Sequence, residues 1–293
     1  MKKSLTLTVV ANMTSNYSEG LGNIASVQKV YRKGRAYATR SRESLKYAIM
    51  TQSGMYDDLE TEVNGATQKK VSDEINATNT RALEGGYMTT KDITYVRNSS
   101  FYLTDAIACD EYTSESRFHN NLNMATNYAK ANNINIQAAK KASGLMPYQY
   151  EYDKSLKIYS MTIDLEMIGK DDNFDSEEAS PEEKADRVKS LLSAVENLSL
   201  VVKGNLDNAE PIFVCGGLSE RKTHYFENVV NVKENKLVMS EDLKDKLDKG
   251  FDSGLLKSGI FENENEIINE LHPEAVSKFF DKLRQEVDRY YGI

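Results

Sequence analysis

The sequence predicts an α+β fold whose core elements follow the order strand, helix, strand, strand, helix, strand. Alternating apolar and polar residues over 4–12 and 157–168 predict two of the strands. Ser180, followed by Pro181 and Glu183, predicts a helix that has Ser180 as its N-cap. The chain has 293 residues, of which 40% are hydrophobic, and this suffices for one elaborated domain with a sizeable core.

The same signals place the remaining elements. The predicted core elements are a strand at 4–12, a helix at 40–52, a strand at 99–108, a strand at 157–168, a helix at 182–198 and a strand at 211–215. A polar loop with Gly20, Gly22 and Asn23 follows the first strand, and the polar residues 55–100 are expected to form an insertion. This order is that of a ferredoxin-like domain, which RNA-recognition domains share.

Apolar positions at helical spacing define the core side of two helices. In the helix at 182–198 they are Ala185, Val188, Leu191, Leu192, Val195 and Leu198. A last helix is predicted from Pro273, and its apolar residues are Val276, Phe279, Phe280, Leu283 and Val287. Between these helices, a hairpin over 224–239 is predicted to turn near Glu234–Asn235.

The charge is unevenly distributed along the chain. The net charge is −8, yet residues 1–47 carry nine basic residues and only two acidic ones, Glu19 and Glu43, which gives that segment +7. The other 246 residues therefore sum to −15. This separation predicts a face that binds a polyanion on an otherwise acidic body.

A second unusual stretch runs from Ser116 to Tyr150, where 35 residues include neither Asp nor Glu. It is rich in asparagine, and its basic residues are Arg117, Lys130, Lys140 and Lys141. The stretch is either a polar surface loop or a second surface for nucleic acid.

The run over 34–46 (GRAYATRSRESLK) alternates cations with small hydroxyl side chains as it enters a predicted helix. Arg and Lys neutralise phosphates, while Ser, Thr and the N–H groups of a helix N-terminus donate hydrogen bonds to them. None of these groups is committed to a base edge, so the pattern predicts binding to the backbone of a nucleic acid. The alternative is a solvated basic helix face.

The first strand and the segment GLGNIASVQKVYRKGRAYATRSRESLKYAI (20–49) resemble the opening of the backbone subunit of type I CRISPR Cascade complexes, the Cas-seven family. Within that family the segment is most similar to the DevR-type members of subtype I-B. The chain departs from the family pattern at 39–42 (TRSR), where Ser-x-Gln is usual. The resemblance extends more weakly through 146–152 (MPYQYEY) and 211–217 (PIFVCGG).

The resemblance implies a ferredoxin-like, or RRM-like, palm with helical fingers inserted after its first helix and a thumb hairpin. By position, 1–52 is the first half of the palm, 53–105 the fingers, 106–155 the thumb region, and 156–293 the second half of the palm with the C-terminal helices. It also implies a non-catalytic subunit that polymerises along the guide RNA (crRNA) in a surveillance complex for antiviral defence. Its partners are then crRNA, target DNA through the guide, further copies of itself in a helical filament and other Cascade subunits.

Twelve residues are candidates for contacts with the RNA. The candidates for phosphate contacts are Lys29, Arg35, Arg40, Ser41, Arg42, Lys46, Lys203 and Asn205. The candidates on the thumb are Arg117, Phe118, Leu122 and Met124, with the apolar ones wedged between bases.

A metal-dependent ribonuclease of the same fold is the first alternative. Backbone subunits of the related type III complexes cut RNA with an aspartate in the loop after the first strand, whereas Glu19 is the only acid within residues 11–42. The nearest carboxylate pair, Asp57–Asp58, lies in the polar insertion and is expected to be solvated surface. We therefore expect no catalytic residue, and the second alternative is a protein-interaction domain whose basic patch binds an acidic partner.

Cysteine and histidine positions predict neither a metal site nor a cofactor. Cys109 and Cys215 have no CxxC partner, and the three histidines, His119, His224 and His272, are scattered. The sequence contains no run of 18 apolar residues, so we expect a cytoplasmic protein that does not enter a membrane.

Overall fold

In this computed structural model the described residues are 2–17, 24–90, 93–135 and 144–293. The polar loop predicted at Gly20, Gly22 and Asn23 lies outside them, as do Lys140 and Lys141.

The described part of the chain contains strands of two to eleven residues and six α-helices. The strands are β1 (Ser4–Thr14), β2 (Ile24–Ala25), β3 (Lys29–Arg32), β4 (Arg35–Arg40), β5 (Thr61–Asn64), β6 (Ala66–Lys69), β7 (Tyr87–Thr89), β8 (Tyr95–Arg97), β9 (Phe101–Leu103), β10 (Ala106–Ala108), β11 (Ser116–His119), β12 (Tyr148–Glu151), β13 (Lys154–Asp164), β14 (Ser199–Val202), β15 (Asn205–Asn208), β16 (Pro211–Ser219), β17 (Val232–Lys233), β18 (Lys236–Leu237), β19 (Asp252–Leu255) and β20 (Glu274–Ala275). The helices are α1 (Arg42–Gln52), α2 (Leu122–Ala131), α3 (Pro181–Glu196), α4 (Glu241–Leu247), α5 (Glu264–Leu271) and α6 (Val276–Tyr291), with a 3₁₀ helix at Arg81–Gly85.

Nine of these strands form a central sheet in the order β20-β19-β16-β1-β13-β10-β4-β3, and β9 also pairs with β13. Strand β1 lies in the middle of the sheet and is antiparallel to both β13 and β16. Strand β13 is in turn antiparallel to β10. Because β1 has a partner on each edge, its backbone groups are hydrogen-bonded on both sides, and it can be buried along most of its length.

Alternation along β1 sends its side chains into two separate apolar layers. Leu5, Leu7 and Val9 lie in the larger core, together with buried residues of α1, α3 and α6. On the opposite face, Val10 packs in a second core with Phe226 and with residues of α4 and α5. The central sheet is therefore covered on both faces.

Hydroxyl side chains occupy several of the other positions on the second face of β1. Thr8 Oγ1 lies 2.7 Å from Ser160 Oγ in a buried hydrogen bond. The hydroxyls of Thr6 and Thr162 both donate to the carbonyl oxygen of Thr223, at 3.1 and 3.0 Å. The alternating threonines of the first strand are thus hydrogen-bonded inside the protein, which keeps the free-energy cost of burying their hydroxyl groups small.

Several sequence predictions are confirmed at the level of single residues. Ser180 is the N-cap of α3, and its hydroxyl accepts from the backbone N–H of Glu183 at 3.2 Å. The hairpin β17–β18 turns at Glu234 and Asn235, whose φ angles are 49° and 56°. The apolar residues predicted for the helix at 182–198 are all buried, although Leu198 lies beyond the end of α3. Phe279, Phe280, Leu283 and Val287 of α6 are buried as well.

The prediction of helical fingers is wrong for the described residues of 53–105. They form the antiparallel strand pairs β5–β6 and β7–β8, the 3₁₀ helix and the sheet strand β9, with no α-helix among them. The local sequence explains this, because Val63 and Thr67 favour strands and Gly65 adopts the positive φ (71°) of a tight turn between them.

Other element boundaries also differ from the sequence predictions. The strand predicted at 99–108 is divided into β9 and β10, because Asp105 Oδ1 accepts the backbone N–H of Arg42 and Thr104 Oγ1 accepts that of Ser160. The last helix begins at Val276 rather than Pro273, since β20 intervenes. Strand β13 covers 154–164 rather than 157–168.

None of the helices in the described part of the chain combines the length and the apolar character needed to cross a bilayer.

Candidate nucleic-acid interface

Two of the predicted phosphate ligands, Arg40 and Ser41, are built into the fold where β1 meets α1. The Arg40 side chain is only 5% exposed; its Nε–H donates to the Thr14 carbonyl at 3.0 Å and its Nη1 to Ser44 Oγ at 2.7 Å. Burial lowers the pKa of Arg40 to about 10, so the guanidinium remains charged at neutral pH. Ser41 is the N-cap of α1: its hydroxyl accepts from the N–H of Ser44, and its own N–H donates to Asn16 Oδ1 at 2.8 Å.

Lys46 and Arg42, both in α1, differ in their surroundings: Lys46 is held by a hydrogen bond, whereas Arg42 is exposed. Lys46 Nζ donates to the carbonyl of Gly85 at 2.7 Å, and burial lowers the pKa of Lys46. The side chain of Arg42 is 63% exposed and lies 3.3 Å from the carboxylate of Glu43, which is also exposed. Of the candidates around the start of α1, Arg42 is therefore the one whose side chain is open to a ligand.

The hairpin β3–β4 carries a cluster of exposed cations. Lys33 and Gly34 form its two-residue turn with φ angles of 50° and 77°, the signs that a type I′ turn requires. Arg32 and Arg35 face each other across the strands next to this turn. We call Arg32, Lys33 and Arg35 the basic hairpin tip; all three are exposed, and Arg35 Nε lies 3.7 Å from Glu111.

Four tyrosines collect beside this hairpin, and three of the predicted cations lie against them. We call Tyr17, Tyr112, Tyr150 and Tyr152 the tyrosine cluster. Lys29 Nζ lies 4.6 Å from the ring centre of Tyr112, Arg117 Cζ 3.6 Å from that of Tyr152, and Lys203 Nζ 5.0 Å from that of Tyr17. These distances are those of cation–π contacts, which hold a cation over an aromatic face.

Further contacts join the cluster to the central strand. Tyr17 follows the end of β1; its ring meets that of Tyr150 edge to face at 6.1 Å, and its hydroxyl donates to the Glu151 carbonyl at 2.9 Å. Burial raises the pKa of Tyr17 to about 12, with Tyr150 as the next contributor. Lys29 also pairs with the Glu151 carboxylate, so its charge is already partly neutralised.

The thumb candidates lie on the surface but do not share one face. Phe118 is 68% exposed, Leu122 51% and Met124 74%. Arg117 and Phe118 are consecutive residues of β11, so their side chains point to opposite faces of the small sheet β11-β12-β2. Arg117 therefore belongs with the tyrosine cluster, whereas Phe118 belongs to an exposed apolar surface.

Lys203 and Asn205 lie at the end of a hairpin, β14–β15, that was not predicted from the sequence. Lys203 and Gly204 form its turn, with φ angles of 49° and 79°. Next to the turn, Val201 and Leu206 face each other across the strands and are 78% and 71% exposed. The hairpin brings Lys203 over Tyr17 and so adds a cation to the surface formed by β3, β4 and β12.

The tyrosine cluster is a feature of this candidate interface that the sequence analysis does not predict. Its members come from three separate parts of the chain, and no single run of residues marks them. A signal was nevertheless present, because Tyr148, Tyr150 and Tyr152 alternate in MPYQYEY, as residues do that share one face of a strand.

The carboxylate pair considered for nuclease chemistry has a structural role at one of its members. Asp58 accepts the backbone N–H groups of Arg81 and Ala82 at 2.7 and 2.9 Å, and so caps the 3₁₀ helix. Across the described residues, no group of three or more His, Cys, Asp or Glu side chains is placed to hold a metal ion.

These features define an α+β protein that presents exposed cations and a cluster of tyrosines beside the end of its central strand. The family model for CRISPR-associated negative auto-regulator DevR/Csa2 matches residues 5–237. Since the match covers most of the chain, the chain belongs to that family. The resemblance deduced from the opening motif is thereby confirmed at the level of the family.

Solved structures show the same fold. One chain, described as "CRISPR RNA-guided surveillance complex, pre-nicking", is 9% identical with a TM-score of 0.60, and the match covers 97% of this chain and all of that one. Another, described as "CRISPR RNA-guided surveillance complex", is 12% identical with a TM-score of 0.55 and covers 96% and 99% of the two chains. A search of curated proteins gave no significant match.

Proposed function

We propose that the chain is a non-catalytic backbone subunit of a Cascade-type CRISPR surveillance complex and that it binds crRNA along its phosphate backbone. The observation that carries the proposal is the tyrosine cluster with Lys29, Arg117 and Lys203 over its rings, next to the exposed basic hairpin tip. Aromatic faces with cations beside them are what proteins use to hold single-stranded nucleic acid without reading its sequence. Membership of a CRISPR-associated family supports the same conclusion.

In this proposal the core is a ferredoxin-like palm. Strands β16, β1, β13 and β10 are neighbours in that order, and α1 and α3 supply buried residues to the core of the sheet. Residues 53–105 take the position of the fingers, and 106–155, which contain the hairpin β11–β12 and α2, take that of the thumb. The proposal includes membership of subtype I-B and a cytoplasmic location.

The proposed partners follow from the same assignment. They are crRNA, target DNA that pairs with the guide, other Cascade subunits and further copies of the chain in a helical filament. The protein itself would read the backbone shape, while base pairing would read the sequence. The exposed candidates for phosphate contacts are Arg35, Arg42, Lys203 and Asn205, and we add Arg32 and Lys33 because both are exposed at the basic hairpin tip.

A salt titration of RNA binding tests the proposal. If a subunit contacts roughly four to six phosphates of single-stranded RNA, log K should fall against log[salt] with a slope of roughly −3 to −4. A slope near zero in a filter-binding assay would contradict the phosphate-binding function. The same labelled RNA, incubated with the protein and Mg²⁺, should remain uncut; cleavage would favour a metal-dependent ribonuclease instead.

A charge reversal at the basic hairpin tip locates the contact. Arg32→Glu with Arg35→Glu exchanges one like-charged cross-strand pair for another, so the hairpin should persist while RNA binding weakens and the salt slope becomes shallower. Lys249→Glu with Lys257→Glu is the matched control, because both lysines are exposed and flank β19, near the other end of the central sheet. Equal losses in the two variants would indicate a general charge effect rather than a site.

A further inference from the structure

A buried carboxylate joins three segments of the candidate interface. Asp207, on β15, is 7% exposed, and its Oδ2 accepts the backbone N–H of Thr14 at 2.8 Å and the Thr14 hydroxyl at 3.0 Å. Its Oδ1 accepts from Lys154 Nζ at 2.5 Å. Thr14 ends β1 and Lys154 begins β13, and the two residues are cross-strand partners. One carboxylate therefore ties β15 to the ends of both strands.

The same three segments bear cations and rings of the interface. Lys203 lies four residues before Asp207, in the turn of the hairpin β14–β15. Tyr17 lies three residues after Thr14, and Tyr152 shortly precedes the start of β13. Because Lys203 Nζ lies 5.0 Å from the centre of the Tyr17 ring, this cation–π contact spans two of the segments that Asp207 ties together.

The hairpin β14–β15 has few other buried attachments near its turn. Its strands form a two-stranded sheet of their own, so no backbone pairing joins them to the central sheet among the described strands. Leu200 is buried in the larger core and lies opposite Asp207 across the strands. Between this pair and the turn, Val202 is partly buried and the other residues are exposed. The pair Leu200–Asp207 is therefore the buried part of the hairpin nearest to Lys203.

The negative charge of Asp207 is compensated inside the protein. It pairs with Lys154, and it also lies near Arg40: burial lowers the pKa of Arg40, and the Asp207 charge opposes that change. By charge alone, loss of this carboxylate should strengthen the binding of a polyanion, because one repulsive charge disappears. A role in holding Lys203 in place predicts weaker binding instead. The sign of the effect therefore separates the two roles.

We propose that Asp207 is a positioning residue of the RNA interface. Its buried carboxylate fixes the hairpin β14–β15 against the end of β1 and thereby holds Lys203 over Tyr17, where a phosphate of the RNA can contact the lysine. This inference rests on the proposed RNA-binding function and adds to it a residue that does not itself touch the RNA. Since Asp207 acts through Lys203, loss of either residue removes the same phosphate contact.

Binding of a short uridine oligomer by full-length Asp207→Asn tests this role. Asparagine has nearly the same size but no charge with which to pair with Lys154. The variant should bind RNA at least about 2-fold more weakly, and the slope of log K against log[salt] should become shallower by about 0.7, the value for one phosphate of a single strand. Lys203→Ala should change the slope equally, and the double variant should bind no more weakly than Lys203→Ala. Hydrogen exchange at 199–208 should be faster in Asp207→Asn.

Asp171→Asn is the matched control. Asp171 is 4% exposed and accepts the backbone N–H of Ala77 at 3.0 Å and the Tyr87 hydroxyl at 2.8 Å, so its substitution removes a similar set of buried contacts. These partners belong to the inserted residues 53–105, so the salt slope of this variant should equal that of the wild type. Thr14→Val removes one donor to Asp207 without changing a charge, and it should weaken RNA binding by a smaller factor than Asp207→Asn.

The outcomes separate this inference from the function on which it rests. Unchanged or tighter RNA binding by folded Asp207→Asn overturns the positioning role and leaves the phosphate-binding function intact. Losses that multiply in the double variant, or equal losses in Asp207→Asn and Asp171→Asn at an unchanged slope, also overturn it. If Asp207→Asn does not fold, unchanged RNA binding by Thr14→Val overturns the role. Absence of RNA binding by the wild type overturns both the role and the function.

Discussion

Arg40 and Arg42 have the same chemistry and are two residues apart, yet burial gives them different roles. Arg40 is 5% exposed and joins the end of β1 to the first turn of α1, whereas the side chain of Arg42 is 63% exposed. Sequence reasoning placed both at a phosphate because each is a cation in a basic run. Which of the two arginines is buried depends on which side of β4 and α1 faces the core. The basic run over 34–46 has no apolar periodicity from which that side could be predicted.

The first prediction compares these two arginines. Arg40→Ala leaves the Thr14 carbonyl without its buried donor and should lower the free energy of unfolding by about 2–3 kcal/mol. Arg42→Ala removes a surface charge and should change it by less than about 0.5 kcal/mol. Urea denaturation of both variants measures the difference. Equal stabilities would mean that Arg40 is not part of the structural framework.

Gly216 shows the same dependence on surroundings at a position without a side chain. A Cβ atom there would lie 2.0 Å from the carbonyl oxygen of Thr6 on the neighbouring strand β1. No side-chain rotation relieves that overlap, because the backbone of the paired strands fixes the positions of both the Cβ atom and the carbonyl oxygen. The second prediction is that Gly216→Ala costs more than about 3 kcal/mol or prevents folding.

Gly85→Ala is the control for this substitution. Its Cβ would be nearest to the ends of two flexible side chains, at 3.2 Å from Lys69 Nζ and 3.3 Å from Met50 Cε. Those atoms can move, so the change in stability should stay within about 1 kcal/mol. Thermal unfolding of the two variants gives the comparison, and a Gly216→Ala protein as stable as Gly85→Ala would refute the argument.

At the scale of elements, a network of buried ion pairs attaches the inserted residues 53–105 to α3. Glu84 in the 3₁₀ helix accepts from Arg187 of α3 at 2.8 Å and from Arg97 of β8 at 3.0 Å, and all three side chains are at most 3% exposed. Glu84 also accepts the backbone N–H of Gly169 at 2.7 Å. The apolar cluster of the insertion is small, so this network carries much of the attachment.

The third prediction concerns this network. Glu84→Gln leaves two buried guanidinium groups without their shared carboxylate and should cost about 3–5 kcal/mol. Lys70→Met, which breaks the exposed Lys70–Glu60 pair, should cost less than about 1 kcal/mol. Chemical denaturation gives both values, and hydrogen exchange should show residues 76–100 opening first in Glu84→Gln. Similar losses in both variants would argue against a buried network.

Elements with strong local signals could be predicted, and elements defined by pairing could not. The N-cap of α3 was predicted to the residue because Ser180, Pro181 and an apolar stripe all agree, whereas the predicted end at 198 lies two residues beyond Glu196. Ser41 has the same capping role in α1, but the sequence predicts a phosphate ligand there because no proline or apolar stripe of comparable strength marks this helix. The hairpins β3–β4 and β14–β15 lack the apolar–polar alternation on which strand prediction depends. Cations interrupt it in β3–β4, and β14–β15 places the apolar residues Val201 and Leu206 on an exposed face.

At the scale of the whole molecule, ion pairs and hydrogen bonds reduce the positive charge that residues 1–47 can offer to a ligand. Residues 1–47 carry +7, but Lys29 pairs with Glu151, and Arg40 and Lys46 are held by backbone carbonyls. The exposed positive charge of β3, β4 and α1 therefore lies at the basic hairpin tip and at Arg42. The tyrosine cluster could not be predicted as a unit, because the fold assembles it from residues up to 135 positions apart.

The last prediction is that the length of RNA controls assembly. Two copies with a net charge of −8 each repel one another, so the protein alone should be mostly monomeric. An RNA that crosses the basic surfaces of successive copies offsets this repulsion and fixes their spacing, and a head-to-tail contact of this kind extends without closing. Light scattering should therefore give a mass that rises with RNA length.

Replacing residues 120–147 by an Asn-Gly turn, between the cross-strand partners His119 and Tyr148, removes α2 and keeps the strands. That variant should bind RNA weakly and without cooperativity. A mass that is the same on two RNA lengths, or a variant that still assembles in proportion to length, would show that α2 and the RNA do not organise a filament.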